Sequence, residues 1–113
     1  MSLLSDLSQA LTPLGYPFET GFFTGKAPKA YIVFLPLSDT YDVHADNLPS
    51  VDIQEVRISL FTKGSYSAMK NKVISALLKK GLTITGRQYI GFETDTGYHH
   101  YNVDVAHYYE MED

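Results

Sequence analysis

Hydrophobic and polar positions change period along this chain in a way that marks out its elements. Leu3, Leu4, Leu7, Ala10, Leu11 and Leu14 recur at helical spacing. They predict a first helix from Leu3 to about Leu11, capped by Ser2 or Ser5 and ended by Pro13 and Gly15. In YPFETGFFTGKAPKA, Pro17, Gly21, Gly25 and Pro28 break any period, which reads as a short strand or extended piece and then a loop. Phe22 and Phe23 are expected in the core or at a sheet edge. The apolar run AYIVFLP predicts a central, buried strand over Tyr31–Leu35. The polar and acidic segment LSDTYDVHADNLPS then reads as a long, largely irregular loop of the kind that carries function.

From Val51 to Tyr109 the period runs from two to 3.6 and back to two. Val56, Ile58 and Leu60 alternate with Glu55, Arg57 and Ser59, predicting a strand from about Val51 to Phe61. Val51 and Ile53 have the opposite parity, and a bulge near Gln54 would reconcile the two halves. Tyr66, Met69, Val73 and Leu77, widened by Ile74 and Leu78, form the stripe of a second helix. Ser65 is its expected N-cap, Lys79 and Lys80 suit its last turn, and Gly81 its C′ position. Leu82–Ile84 starts a further strand, which Gly86 kinks and Tyr89–Phe92 continues. Asp95-Thr96-Gly97 supplies a turn, and Tyr101, Val103 and Val105 alternate with Asn102, Asp104 and Ala106 in the returning strand. The expected fold is α+β, with two helices on a mainly antiparallel sheet of four to five strands in the order α-β-β-α-β-β. The 113 residues form a single domain.

Composition narrows the function classes. Cysteine is absent, which excludes disulfides and thiolate metal sites. Nine basic and thirteen acidic residues give a net charge of −4, against the basic footprint of a general nucleic-acid binder. The signs are segregated. Lys63, Lys70, Lys72, Lys79 and Lys80 lie in or beside the second helix, while carboxylates crowd Asp39–Asp52 and the tail Glu110, Glu112, Asp113. Such an arrangement either is simply solvated or guides head-to-tail contact between copies. The N-terminal segment lacks the pattern of a secretory signal, and no apolar run has the length of a membrane span. A cytoplasmic site of synthesis and no membrane partner are expected.

Candidate chemistry is sparse. His99 and His100 are adjacent and fall on opposite sides of a strand. His100 and Asp104 share a face but stand about 13 Å apart, and His107 takes the other face. No metal-ligand spacing is present, nor a nucleophile motif such as GxSxG. GKAPK lacks the upstream glycine of a phosphate-binding loop. Asp42 and Asp46 read as solvated loop carboxylates. No enzyme, cofactor or metal is expected. The tyrosines Tyr89, Tyr98, Tyr101, Tyr108 and Tyr109 suit contact with a protein partner or plain sheet packing better than base stacking, since their hairpin carries acids and no lysine.

These pieces cover nearly the whole chain: the first helix, AYIVF, an acidic loop with HADNLP, VRISLFTKGSYSAMKNKVISALLKKGLTI and the hairpin YIGFETDTGYHHYNVDV. In this order the chain resembles the tail-completion or tail-terminator (head–tail joining) proteins of long-tailed bacteriophages and of prophages in Gram-positive bacteria. The most specific segments are the YIVF strand with its acidic loop, LFTKGSY and FETDTGYHHY. The resemblance implies a virion structural protein that self-associates into a ring, commonly a hexamer. The ring caps the tail-tube protein and gives the head connector protein a docking surface. It implies no catalysis and no cofactor, and DNA passing through the lumen without sequence-specific contact. Location would be the host cytoplasm during assembly and then the head-proximal end of the tail. Nominated interface residues are Lys26 and Lys29, then Asp39, Asp42, His44 and Asp46, and Glu93 and Asp95. Two other readings remain open: another connector or tail-tube protein, and a small-ligand-binding α+β domain.

Overall fold

The computed structural model describes residues 2–22, 25–43 and 49–110, with 38–43, 49–51 and 110 described through their backbone only. The protein is α+β. Helix α1 (Leu3–Leu11) runs into a 3₁₀ turn (Thr12–Leu14), followed by the short strand β1 (Phe18–Thr20). The long strands β2 (Ala30–Val43) and β3 (Pro49–Thr62) precede helix α2 (Tyr66–Lys79), and β4 (Thr83–Phe92) and β5 (His99–Glu110) close the chain. The five strands are ordered β1-β2-β3-β5-β4, antiparallel throughout except for the parallel β1–β2 pair. β1 comes from the segment read as a short strand or extended piece, and adds one strand to the expected element order.

Both helices form where their stripes and caps agree. Ser2 caps α1, its hydroxyl oxygen accepting from the Ser5 N–H at 3.2 Å, and Ser65 does the same for α2 through Ala68. At the other end of α2, Gly81 sits at φ 84°. There the Leu82 and Gly81 N–H groups close onto the carbonyls of Leu77 and Leu78, a Schellman motif that only a residue at ease in the left-handed region completes without strain. Leu3, Leu7 and Leu11 of α1 and Met69, Val73 and Leu77 of α2 are all buried. They pack on Ile32, Phe34, Val56, Ile58, Leu60, Val103 and Val105, so the core lies between the helix layer and one sheet face.

The principal correction concerns the segment read as a long loop. Strand β2 continues through Ser38–Val43, and β3 begins at Pro49, so most of that segment is ladder. A polar composition hides a strand when no helix covers it, because neither face then needs an apolar period. The irregularity also sits elsewhere. β3 has no bulge at Gln54; the register slips opposite Glu55–Val56 instead, leaving Leu37 of β2 as the extra residue between Pro36 and Ser38, and a second slip leaves Ser50 of β3 as the extra residue opposite Asp42–Val43. Pro36 is tolerated there because β1 pairs only as far as Phe34, leaving β2 as an edge beyond it. The parity switch at Gln54 marks where helix cover begins. Gln54 faces α1, accepting from the Leu3 N–H at 2.8 Å and donating to Asp52 at 2.8 Å. Ile53 therefore lies on the opposite face. Phe22 is 71% exposed rather than in the core, just after the edge strand β1. Phe23 lies outside the described residues.

One polar contact ties the two ends of the chain together. Asp6, in the first turn of α1, is buried, and its Oδ2 accepts a hydrogen bond from the Tyr109 hydroxyl. Burial first, and then that carboxylate, pushes the Tyr109 phenol well above its ordinary value. Tyr109→Phe is expected to cost about 1–3 kcal/mol in urea unfolding, because the carboxylate then stays buried without its donor. A raised folded-state pKa means the unfolded chain loses its proton first. The contribution of Tyr109 is thus whole below pH 10.0, the ordinary phenol value, and falls as the pH rises past it. Equal stability of the variant and the parent would show the contact to be idle.

Candidate assembly interface

Strand direction distributes the nominated residues. β2 and β5 start, and β3 and β4 end, at one end of the sheet, here the base. Lys26 and Lys29, exposed in the loop before β2, lie there, as do Glu93 and Asp95 in the β4–β5 turn. The two loops are joined: the Tyr98 hydroxyl donates to the Pro28 carbonyl, and the Lys63 N–H donates to the Lys29 carbonyl at 2.9 Å. Lys63 Nζ sits 5.0 Å from the centre of the Tyr98 ring, a cation–π distance. Gly97 turns the hairpin at φ 81°, with its N–H on the Glu93 carbonyl.

Asp39 and Asp42 belong to the opposite end. Their backbones pair with Gln54 and Val51 in the distal part of the β2–β3 hairpin, here the arm. His44 and Asp46 lie outside the described residues. The molecule measures 54 × 25 × 24 Å, and the stretch of β2 from Ala30 to Val43 spans about 43 Å at the usual strand rise. The nominated residues therefore make two separate ends rather than one site. Tertiary placement sharpens the charge pattern as well. From Val56 to Phe92 the chain has no carboxylate and carries Arg57, Lys63, Lys70, Lys72, Lys79, Lys80 and Arg87. Between Lys29 and Arg57 it has no lysine or arginine and five carboxylates, Asp39, Asp42, Asp46, Asp52 and Glu55. The first stretch forms α2 and its surroundings, and the second forms the arm and its root.

The sheet face away from the helices has two zones. Over its centre, Arg57 and Asp104 face one another across β3 and β5 and form a forked ion pair, Nε–Oδ1 2.9 Å and Nη2–Oδ2 3.2 Å. The hydrogen bond to Asp104, and then its charge, raises the Arg57 pKa further. Beside it, Asn102 Oδ1 accepts from the Ser59 hydroxyl at 2.9 Å and lies 2.9 Å from His100 Nε2. An amide oxygen accepting from both requires the proton on Nε2. Toward the base the face becomes aromatic. Phe61 stacks on Tyr31 at 4.8 Å and on His100 at 4.3 Å, with Tyr98 edge-on to Tyr31 at 5.4 Å. With Phe22 the rings of Tyr31, Phe61 and His100 line a shallow groove of about 310 Å³. Sequence reading missed this cluster because Tyr31, Phe61 and His100 meet only through the β2–β3–β5 register.

The tyrosine-rich hairpin does not present one tyrosine face. Tyr89 and Tyr101 pack around Tyr66 of α2, and Tyr109 reaches Asp6 of α1, whereas Tyr98 joins the open-face cluster and Tyr108 is 60% exposed. His99 contacts Tyr66 and Phe92 on the helix side, opposite His100, and the Tyr89 hydroxyl lies 3.0 Å from His99 Nδ1. Among the described residues no group of three or more histidine and carboxylate side chains is placed to hold a metal ion.

No family model matches the chain, and neither does any curated protein. Among the described residues, no helix is long and apolar enough to cross a membrane.

A larger concavity is on the helix side. A groove of about 680 Å³ lies between α1, its 3₁₀ extension and α2, with an apolar floor that includes Pro13, Leu14 and Ala76 and a rim of Lys72, Lys79 and Lys80. Lys80 Nζ also donates to Gln9 at 3.1 Å, linking the two helices across it.

His100 provides a pH test of the open face. Burial, outweighing the Asn102 hydrogen bond, lowers its pKa below the ordinary 6.5. The unfolded chain therefore takes up the proton first on acidification. The stability His100 contributes is whole above pH 6.5 and is lost as the pH falls toward the folded value. Melting temperatures from pH 7.5 to 5 are expected to fall more steeply for the parent than for His100→Gln. Parallel curves would show that the ring titrates freely.

Proposed function

We propose that this protein is a virion structural subunit that self-associates into a ring, caps a phage tail tube and joins it to the head connector. The observation that carries the reading is the division of one elongated module into unlike ends. A loop-built base carries Lys26, Lys29, Glu93 and Asp95, and an arm without lysine or arginine lies at the other end. A subunit between two different proteins needs two different ends. A subunit in a ring needs two different sides, because each copy meets the next through unlike surfaces. The resemblance of the AYIVF, LFTKGSY and FETDTGYHHY segments to tail-completion proteins supports the same reading. In this reading the base and arm act by shape and charge, with self, tube protein and connector as partners. No sequence-specific contact with DNA is involved.

A second reading, a tail-tube protein, shares the elongated shape and differs in its assembly product. Negative-stain electron microscopy with light scattering across a concentration series separates them. Closed rings are expected, and long filaments would indicate a tube subunit. A strict monomer whose melting temperature rises with a small metabolite would overturn both in favour of a ligand-binding domain. Lys26→Glu with Lys29→Glu is expected to stop assembly while leaving the circular dichroism spectrum and melting temperature unchanged, since both side chains are exposed. Assembly at the parent level would remove the base from the interface.

A further inference from the structure

We infer that the lysine-rimmed groove between α1 and α2 is the seat of the acidic β2–β3 arm of a second copy of this chain. The inference rests on the ring-forming reading and names the contact that would build the ring. Three observations carry it. The groove combines an apolar floor, where Pro13, Leu14 and Ala76 lie, with three exposed ammonium groups on its rim, Lys72, Lys79 and Lys80. Their helix belongs to the stretch Val56–Phe92, which holds no carboxylate to neutralise them. The arm is the complement, with Asp39 and Asp42 on β2 and no lysine or arginine between Lys29 and Arg57.

Geometry keeps a copy from satisfying its own groove. The helix layer reaches the sheet only as far as Gln54, where α1 begins, and the paired strands run on to Val43 and Pro49 beyond it. That overhang of several residues amounts to roughly 15–20 Å at the rise of a strand and carries the paired strands past the helices. Every copy therefore offers one arm and one groove on different parts of its surface. The contact is heterologous, leaving an arm and a groove free at each step until the chain of copies closes or extends. Desolvated, opposite charges over an apolar floor give this contact its orientation, because an arm pressed against another arm repels.

Charge exchange tests this. Variant A carries Asp39→Lys and Asp42→Lys; variant B carries Lys72→Glu and Lys79→Glu. In A the two β2 positions of the arm take the sign of the groove, and in B two of the three rim positions take the sign of the arm, so each alone is expected to lose association by at least about tenfold. Mixed in equal amounts, the reversed arm of A meets the reversed groove of B, and the native arm of B meets the native groove of A. Light scattering should then recover the parental mass, with A and B alternating. Association of the parent should also weaken in 1 M salt, where screening acts within about 3 Å. Where a reversed variant fails to fold, Asp39→Asn with Asp42→Asn and Lys72→Gln with Lys79→Gln replace it. Each is then expected to weaken association and flatten its salt dependence. Assembly of either reversed or neutral variant at the parental level, or a folded A–B mixture that stays monomeric, overturns the arm-in-groove contact and leaves the ring reading standing. A parent that stays monomeric at its highest soluble concentration overturns both.

Discussion

Strand β3 is hydrogen-bonded on both sides, to β2 from Pro49 to Thr62 and to β5 from Val51 to Thr62. One residue of slip in either ladder would move Val56, Ile58 and Leu60 from the helix layer into water and bring Glu55, Arg57 and Ser59 into the core. The register is held from both faces. On the helix side, Leu60 is paired with Tyr101, Ile58 with Val103 and Val56 with Val105, all buried. On the open side, Arg57 with Asp104 and Ser59 with Asn102 form polar pairs only in this register. The position of everything else follows, including where the arm ends and which residues of the base meet.

The two faces are covered unequally, and the physical reason is visible in the side chains. Helices α1 and α2 need one apolar face, and they have it from Ile32 to Val105. The other face solves its exposure by mixing chemistry. An ion pair and an amide network occupy the centre, where solvent reaches, and stacked rings occupy the base, where the Pro28 and Gly97 loops lean over it. His100 lies at the boundary between the zones, stacked on Phe61 on one side and bonded to Asn102 on the other. A ring so placed loses hydration, and that cost outweighs the Asn102 hydrogen bond and the charge of Glu93, which is why its neutral form is favoured.

Charge separation along the sequence becomes charge separation in space because the lysines follow a helix and the carboxylates follow a hairpin that outruns it. Had β2 and β3 been shorter, Asp39 and Asp42 would lie beside the helices and offset the lysines within one molecule. The overhang sets the two charged segments of one copy on different parts of the chain's backbone, an arrangement suited to orientation-specific contact between copies.

Much of this was legible in the sequence. The stripes Leu3–Leu11 and Tyr66–Leu77, the caps Ser2 and Ser65, the C′ glycine Gly81 and the β4–β5 hairpin each depend on neighbours within a few residues, so local period and turn chemistry determined them. The fold class followed, because two amphipathic helices and alternating strands leave few ways to bury their apolar faces. Other features were settled only by tertiary structure. Ser38–Val43 became strand because β3 offered it a ladder, not because its own residues demanded one. Asp6 was buried because Tyr109, at the far end of the chain, supplied a donor. Lys26, Asp39 and Glu93 read alike as loop residues, and strand direction alone placed the first and third at the base and the second on the arm. The lysine-rimmed groove likewise exists only because α1 and α2 pack side by side. Sequence by itself determines what is set by contacts a few residues apart; register, edges and grooves are set by contacts between distant segments, whose energies no single segment contains.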